Sequence, residues 1–502
     1  MKSHTRNTAP QEIELKLCLP GADPAGLAKH LAGLPLLAGR QAVRLSLYNI
    51  YYDTPEQALR QQRVALRLRR VGSAASPQWL QTLKTGASDA SALSRRGEWE
   101  TAVAGAALDR GALRHTAWAD IDPDGRLFDQ LAPCFVTVFE RTTWQVGRPD
   151  GSVVEVALDI GHIEAGDRQA PICELELELK AGQPAALFEM ARDMARLLAV
   201  LPASQSKAQR GFLLAQNSLD QPQYAQAPRL NLQLSRPELA QCVLREMFAQ
   251  FTQNLNSLVT SDDPEVVHQA RVGWRRFRSA LRLFKKIPGV ASAPAWPELQ
   301  TLLSCLGELR NLEVALTETL PPLANGFALG DVQRAASWQA MTGALANAVR
   351  LAREAARSAL QQPGVGANLL AMTEWLENLP AVVAGSGPRQ KSRLRRWAMR
   401  RIVRLLQRLE LAQQQATSAQ QQHQLRIVAK RLRYAVEALR DLLPRRLARL
   451  CSEQAVSLQS SIGATRDLAQ ASALVATLDV DRAVVEFMRG VVAGSSLVSL
   501  PG

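Results

Sequence analysis

Apolar and polar residues alternate through much of the first half of the chain. In Glu12-Ile13-Glu14-Leu15-Lys16-Leu17 the period is two, which predicts a strand with Ile13, Leu15 and Leu17 on one face and Glu12, Glu14 and Lys16 on the other. Pro20-Gly21 breaks the pattern, and residues 24–37 read as a short helix. Leu45 to Tyr52 reads as a strand entering the turn signal Tyr52-Asp53-Thr54-Pro55, with helical turns over 56–62. Val64 to Arg70 puts Arg67 and Arg69 on one strand face and Leu66 and Leu68 on the other. Trp79 to Thr85, carrying Lys84, follows as its hairpin partner. Arg96, Glu98 and Glu100 then alternate with Gly97 and Trp99. Phe135–Val146 holds Arg141, and Val153–Ile160 holds Glu155 and Asp159. Glu174-Leu175-Glu176-Leu177-Glu178-Leu179-Lys180 repeats the opening pattern. A helix is expected from about Pro184 to Leu201, and a basic cluster spans 206–211.

These strands carry charged faces of both signs. A sandwich with its charged faces in water would need an apolar cover on its other faces, and few helices are available for that. A closed antiparallel barrel with a polar lumen and an apolar outer layer fits better. Carboxylates crowded on one strand face repel unless they share a cation or basic partners. A lumen with Arg and Lys for an anion, beside carboxylates for a cation, has the character of a site for a metal-chelating polyphosphate.

The second half has helical periodicity almost throughout. Residues 217–236 are rich in Pro, Gln and Asn, and 217–231 is taken as the linker. Helices are expected at 238–260, 264–286, 298–317, 331–360, 366–379, 389–415, 418–442, 445–476 and 480–493. His268-x-x-Arg271 to Arg278 matches His423-x-x-Arg426 to Arg433 at an offset of 155. Leu306-Gly307-x-x-Arg310-Asn311-Leu312 matches Ile462-Gly463-x-x-Arg466-Asp467-Leu468 at 156, so the helical unit occurs twice. His268, Arg271, Arg275, Arg278 and Arg282 share one helical face, as do His423, Arg426, Lys430 and Arg433. Arg393, Arg396, Arg400 and Arg404 form a third basic stripe. No Asp or Glu lies between Arg271 and Lys286 to balance the first stripe, which points to an anion site.

The charge distribution agrees. Residues 1–228 hold 25 Lys/Arg and 25 Asp/Glu, while residues 229–502 hold 35 and 21, so the whole excess of +14 is in the helical half. The six cysteines are scattered with no C-x-x-C pair, which argues against structural zinc and a disulfide framework and fits a reducing cytoplasm. The N-terminus has no apolar signal core, and no apolar run reaches membrane-spanning length, so a soluble intracellular protein is expected.

Glu12-x-Glu14-x-Lys16, the Tyr52-Asp53-Thr54 turn, Arg67-x-Arg69, Lys84, Arg141, Asp159, Glu174-x-Glu176 and Lys207 resemble the CYTH, or triphosphate tunnel metalloenzyme, pattern over roughly residues 8–216. The resemblance implies a tunnel of antiparallel strands and hydrolysis of triphosphate compounds with Mg²⁺ or Mn²⁺; some members are instead class IV adenylate cyclases. It implies that Lys16, Arg67, Arg69, Lys84, Arg141 and Lys207, with Arg96 beside them, bind phosphate oxygens. Glu12, Glu14, Asp159, Glu174 and Glu176 would hold one or two metal ions. Glu12, Glu14, Lys16, Arg67, Arg69 and Lys84 form the expected catalytic group. Strand parity alone places Glu100 and Glu178 inside, while Arg70, Arg95 and Lys180 face solvent or end a strand. From about 232 to 502 the chain resembles the CHAD domain, two pseudo-symmetric helical bundles with a basic surface, associated with inorganic polyphosphate. Asn311 stands where the second copy has Asp467, so the two copies need not act alike.

The expected fold is therefore α+β: an antiparallel β tunnel with flanking helices over 1–216, then an all-α domain of two repeated bundles over 232–502. The expected function is a metal-dependent inorganic triphosphatase with tripolyphosphate as substrate and polyphosphate bound by the helical half, in the cytoplasm and associated with polyphosphate granules. Competing readings are an adenylate cyclase, which needs an adenine pocket, and a non-catalytic binder of polyphosphate or nucleic acid. Nucleic acid ranks lower, because the few aromatics near the stripes (Trp274, Phe277, Trp397, Tyr434) are spaced for packing.

Overall fold

The computed structural model describes residues 11–72, 77–86, 91–228, 230, 234–379 and 388–498, and it divides into two compact units. The first holds the chain up to Gln221 together with Val259–Ser261 and Gln361–Glu374. The second holds Pro222–Leu258, Asp262–Leu360 and the chain from Trp375 onward.

In the first unit the strands are β1 (Gln11–Cys18), β2 (Ala42–Asp53), β3 (Ala65–Val71), β4 (Gln78–Lys84), β5 (Leu93–Val103), β6 (Ala132–Gly147), β7 (Val153–Ala165), β8 (Arg168–Ala181) and β9 (Leu201–Pro202). Its helices are α1 (Pro24–Ala32), α2 (Ala58–Gln61), α3 (Trp118–Ile121), α4 (Ala185–Ala195) and α5 (Lys207–Ala215). The strand order is β5-β4-β3-β2-β6-β7-β8-β1, and β1 pairs back onto β5, so eight antiparallel strands close a barrel. The expected tunnel is thus observed. Its outer face is the apolar face of the alternation: Leu15, Leu17, Leu66, Val154, Val156, Leu175 and Leu177 are all fully buried. Each such side chain stabilises the fold by about 1.5–3 kcal/mol. Leu27 and Leu31 of α1 and Leu187, Met190 and Met194 of α4 cover one side of this face. Leu113 and Trp118 cover Leu66 and Leu83 on another.

Several elements depart from the sequence expectation. The helix expected to run to Leu201 stops at Ala195, and Leu201–Pro202 pairs with β1 instead. A residue before proline disfavours the helical region, and Val200 and Leu201 bury fully in the outer layer. The first helix ends at Ala32, with Gly33 as its cap. The basic cluster at 206–211 begins α5, whose Ser206 and Gln209 form a capping box. This helix lies against β6, β7 and β8, and Phe212 meets Phe135 edge-on at 5.0 Å while Tyr51 stacks on Phe135 at 4.7 Å. A Cβ on Gly211 would come within 2.1 Å of that ring, so only glycine lets α5 approach this closely. The barrel interior is therefore apolar where it meets α5 and charged beyond it.

The second unit contains α6 (Arg236–Leu258), α7 (Pro264–Phe284), α8 (Leu299–Val314), α9 (Ala324–Ala328) and α10 (Val332–Leu360). After α11 (Pro363–Glu377), whose first part groups with the other unit, follow α12 (Pro388–Gln414), α13 (Ala419–Ala438), α14 (Arg445–Val475) and α15 (Arg482–Val498). The two copies meet through like elements, α7 against α13 and α8 against α14. Trp338, Met341 and Leu345 of α10 share a core with Ala471, Val475, Val484 and Met488. Among the described residues no helix is long and apolar enough to cross a membrane.

Candidate active site and basic clusters

The strand register turns the alternation into a lumen. Cross-strand partners share a face. Glu12 faces Arg96, Lys84 faces Glu98, and Thr82 faces both Arg67 and Glu100. Asn49 faces Arg69, Asp159 faces both Arg141 and Glu174, and Lys16 faces Glu176. The charged faces of strands far apart in sequence therefore meet in one interior. Glu14, Lys16, Arg67, Asp159, Glu174, Glu176 and Lys207 are buried there.

Each charge is held by the opposite sign. Lys207 Nζ lies 2.6 Å from Asp159, 2.5 Å from Glu174 and 3.1 Å from Glu176. Arg141 donates to both oxygens of Asp159, at 2.7 and 2.6 Å, and to Glu176. Lys16 pairs with Glu176 and, at 3.2 Å, with Glu14. Arg96 donates to Glu12 at 2.6 Å and also to Glu14. Lys84 bridges Glu12 at 3.0 Å and Glu98 at 2.9 Å. Arg67 and Arg69 both lie near Glu100, at 3.8 and 3.7 Å, so the inward placement of Glu100 is observed. Arg95 is exposed, Arg70 lies over the Tyr48 ring, and Lys180 ends its strand between Glu155 and Glu178.

These pairs set the protonation states. Burial works against ionising Glu12, but Lys84 and Arg96 outweigh it and hold its carboxyl far below the usual range. Burial likewise opposes ionisation of Glu176, and Lys16, Lys207 and Arg141 overcome it; for Asp159, Lys207 and Arg141 do so. Lys207 is raised well above an ordinary lysine despite burial, because three carboxylates surround it. Burial and the neighbouring Arg96 push Lys84 down, and burial with Arg67 and Arg141 brings Arg69 to about 10.

Asp159, Glu174 and Glu176 each offer a carboxylate oxygen, all within 4.8 Å of one another. Hard oxygen donors this close could hold a divalent cation, and the Lys207 ammonium now lies among them. Glu12 and Glu14 of the expected metal set are not in this triad and form a second acidic pair beside it, reached through Lys16. Asp53 of the turn motif is structural, since its buried carboxylate accepts from the backbone N–H groups of Thr54, Leu59 and Arg60 and caps α2.

In the second unit the expected basic stripe divides. Gly307 leaves room against α8 for the Arg271 guanidinium, which lies 2.9 Å from where a Cβ would stand. Burial, Arg275 and Arg310 lower Arg271 to about 10. Burial, then Arg275, Arg426 and Arg466, brings Lys430 to about 8. His268 is lowered by burial and by Arg310 and Arg275, so it faces the same cluster. His423 lies on α13, with its side chain outside the described residues. Arg278 and Arg282 are exposed and belong to a different group, and Arg433 sits exposed over the Tyr434 ring. The acid missing from α7 is supplied elsewhere: fully buried Arg276, off the stripe, pairs with Glu437 of α13 and with Gln250. Asp467 partly offsets Lys430 and Arg426, a balance that Asn311 cannot supply in the first copy.

Sequence reasoning missed Arg310 and Arg466 as cluster members. Both stand at the same place in the repeated Gly-x-x-Arg piece, so the signal was present. It also missed the neutral lumen groups Asn49 and Thr82, which bind Arg69 at 2.9 Å and Glu100 at 2.9 Å. A single polar residue on a strand face carries no such signal.

A closed barrel with a lumen of paired charges, followed by two copies of a basic helical bundle, defines the class. Residues 10–212 match the CYTH domain family and residues 242–476 match the CHAD domain family, so the chain carries a CYTH domain followed by a CHAD domain. Over 205 residues it is 34% identical to an inorganic triphosphatase of Haemophilus influenzae. That match covers 41% of this chain and 55% of the relative, about half the relative's length. The CHAD domain of the plant Ricinus communis is similar at 25% identity and a TM-score of 0.47, covering 55% of this chain and 92% of that one. A Hippeastrum protein described as an adenylyl cyclase with a dominant triphosphatase activity is similar at 18% identity and a TM-score of 0.30, covering 41% and 96%.

Proposed function

We propose that the tunnel unit is a metal-dependent triphosphatase that cleaves tripolyphosphate to pyrophosphate and phosphate, and that the helical unit binds inorganic polyphosphate. The observation that carries the first part is a buried carboxylate triad beside a ring of lumen cations. An anion alone would have no use for Asp159, Glu174 and Glu176, and a metal alone no use for Arg67, Arg69, Lys84 and Arg96. Asp159, Glu174 and Glu176 would hold a divalent ion, which would supply polarisation of phosphate oxygens and acidify a water.

The chain's own residues do the rest. Arg67, Arg69, Lys84 and Arg96 exchange their carboxylate partners for phosphate oxygens and hold the chain for in-line attack. Arg141, Lys16 and Lys207 keep Asp159 and Glu176 ionised and neutralise charge that builds on the leaving phosphate. Water adds to phosphorus as one P–O anhydride bond breaks. The walls exclude bulk water, so each contact acts at lower effective dielectric. For the second unit, the supporting observation is the cluster in which burial and then Arg275, Arg310 and Arg466 lower Arg271, Arg426 and Lys430.

The test is release of phosphate from tripolyphosphate, ATP, thiamine triphosphate and long polyphosphate, each with Mg²⁺ and Mn²⁺. Fast release from tripolyphosphate is expected, and Glu12→Ala or Glu14→Ala should lose most of it with the barrel still folded. Full activity in both variants, or cyclic AMP as the product from ATP, would replace this reading.

A further inference from the structure

The helical unit occurs twice, so its copies control for each other. α6 and α12 occupy equivalent places, each leading into a basic helix, α7 or α13. α6 carries two Lys/Arg and two acids. α12 carries nine Lys/Arg and one acid, Glu410, near its end. Since α6 fills the same role with no net charge, the bundle does not need the charge of α12.

Most side chains of α12 divide by chemistry, Val403 and Leu411 being exposed apolar exceptions. Leu394, Ala398, Ile402 and Leu409 bury in the bundle, while Arg393, Arg396, Arg400, Arg404 and Arg408 are exposed. From Arg393 to Arg408 this row runs about 22 Å along the helix. Among the described residues, no ion pair within 4 Å joins any of the five to an acid; Arg396 and Arg400 donate only to backbone carbonyls one turn back. The row also continues onto neighbouring helices. Arg431 of α13 is lowered by burial and then by Arg282 of α7 and Arg408 of α12. Arg401 is lowered by burial, Arg404 and Arg408. None of these couplings involves Arg271, Arg310, Arg426 or Lys430, so this is a second basic group.

We propose that the exposed arginine row of α12, extended by Arg431 and Arg282, is a second track for a linear polyanion, and that its occupant is the far part of a long inorganic polyphosphate chain. This rests on the reading of the helical unit as a polyphosphate binder. Like charges set side by side destabilise the free protein and are relieved by a chain of phosphates. A single-stranded nucleic acid would want stacking platforms, but Trp397, the aromatic of α12, stacks on Phe284 at 5.7 Å with the rings 9° apart. A lipid surface would need a broad exposed apolar face, and α12 exposes only Val403 and Leu411 of its large apolar side chains among the described residues. Two tracks on one unit make affinity depend on chain length, because a long chain engages the second track intramolecularly.

The experiment measures binding of long-chain polyphosphate and of a chain of a few phosphates to the full-length protein, without divalent metal, over a range of salt. The variants are R396Q/R400Q/R404Q, R400E alone, and R271Q/R275Q. The α12 triple variant should bind the long chain about tenfold or more weakly, with a salt slope shallower by roughly 0.7–0.9 for each lost phosphate contact. Short-chain affinity should not change in the α12 variants, R400E should also weaken the long chain, and R271Q/R275Q should weaken both chains. Unchanged long-chain affinity and slope in the α12 variants would overturn the second track and leave the first cluster standing. A wild type that binds neither chain would overturn the parent reading itself, and tighter binding of single-stranded RNA than of equally long polyphosphate would overturn the choice of occupant.

Discussion

The two units hold their cations differently. In the tunnel the lumen cations lie beside carboxylates, and Lys16, Arg96, Arg141 and Lys207 are more firmly protonated than in water, while burial and neighbouring cations lower Lys84 and Arg69. In the helical unit Arg271, Lys430 and Arg431 face other cations and are less firmly protonated. A lumen of both signs is satisfied before any ligand arrives, so a ligand must bring both signs, as a metal-complexed phosphate chain does. The helical cluster holds more cations than acids, with Glu318 on Arg310 and Asp467 near Lys430, so on the proposed reading it takes an anion without a metal. Salt should therefore act strongly on the helical unit and weakly on the enclosed lumen.

The largest effect should come from breaking the tunnel's side of this contrast. Glu174→Gln with Glu176→Gln removes two of the three negative charges of the triad and leaves Lys207 with Asp159. Phosphate release from tripolyphosphate should fall about a thousandfold, the scale of losing a principal charge-stabilising group. Metal-free binding of long polyphosphate to the same protein should stay within about twofold, since it draws on the like-charged cluster. A double variant that keeps its turnover would remove the triad from the mechanism.

A smaller effect follows from protonation. Asp159 and Glu176 have folded pKa values below their ordinary ones, so the unfolded chain binds more protons in acid. Their stabilising contribution is complete above about pH 4.5 and is lost as pH falls through the folded values. Amide protection factors in β7 and β8, taken relative to the slower intrinsic exchange in acid, should therefore fall on going from pH 5 to pH 3. The arginine clusters do not titrate there, and protection in α7 and α13 should change less. An equal fall in protection in both units would mean that the lumen pairs carry little of the barrel's stability.

How much of this was legible in the sequence depends on what fixed each feature. Strand parity is local: Leu15 and Glu14 must point to opposite faces, so the lumen set could be read before any barrel was seen. The helical half was readable to within a few residues at most boundaries, because its periods are long and its breaks are prolines. What stayed hidden was non-local. That α5 would pack at the apolar part of the interior needs Gly211 beside Phe135, 76 positions away in sequence. That the α7 stripe would divide needs to know which of its arginines meet α8 and α13 and which meet α12. The Arg276–Glu437 pair could not be seen from α7 alone, since its acid lies on the other copy.

The smallest effect sharpens the comparison at one side chain. Lys430 titrates near 8, below the ordinary 10.5, through burial and then Arg275, Arg426 and Arg466, with Asp467 pulling the other way. In the folded protein without ligand it therefore starts to lose its proton as pH rises through 8. A bound phosphate favours the ammonium and restores its ordinary range, so binding takes up a proton between about pH 8 and 10.5. Affinity for polyphosphate should fall by about threefold to tenfold between pH 7 and 9, bounded by the one-proton limit of tenfold per unit. Lys430→Arg should abolish that fall, because a guanidinium keeps its charge throughout, whereas Lys430→Gln should lower affinity at pH 7 and flatten the profile. A wild-type profile as flat as the arginine variant's would place Lys430 outside the phosphate contact, and the like-charged cluster would then work through its arginines alone.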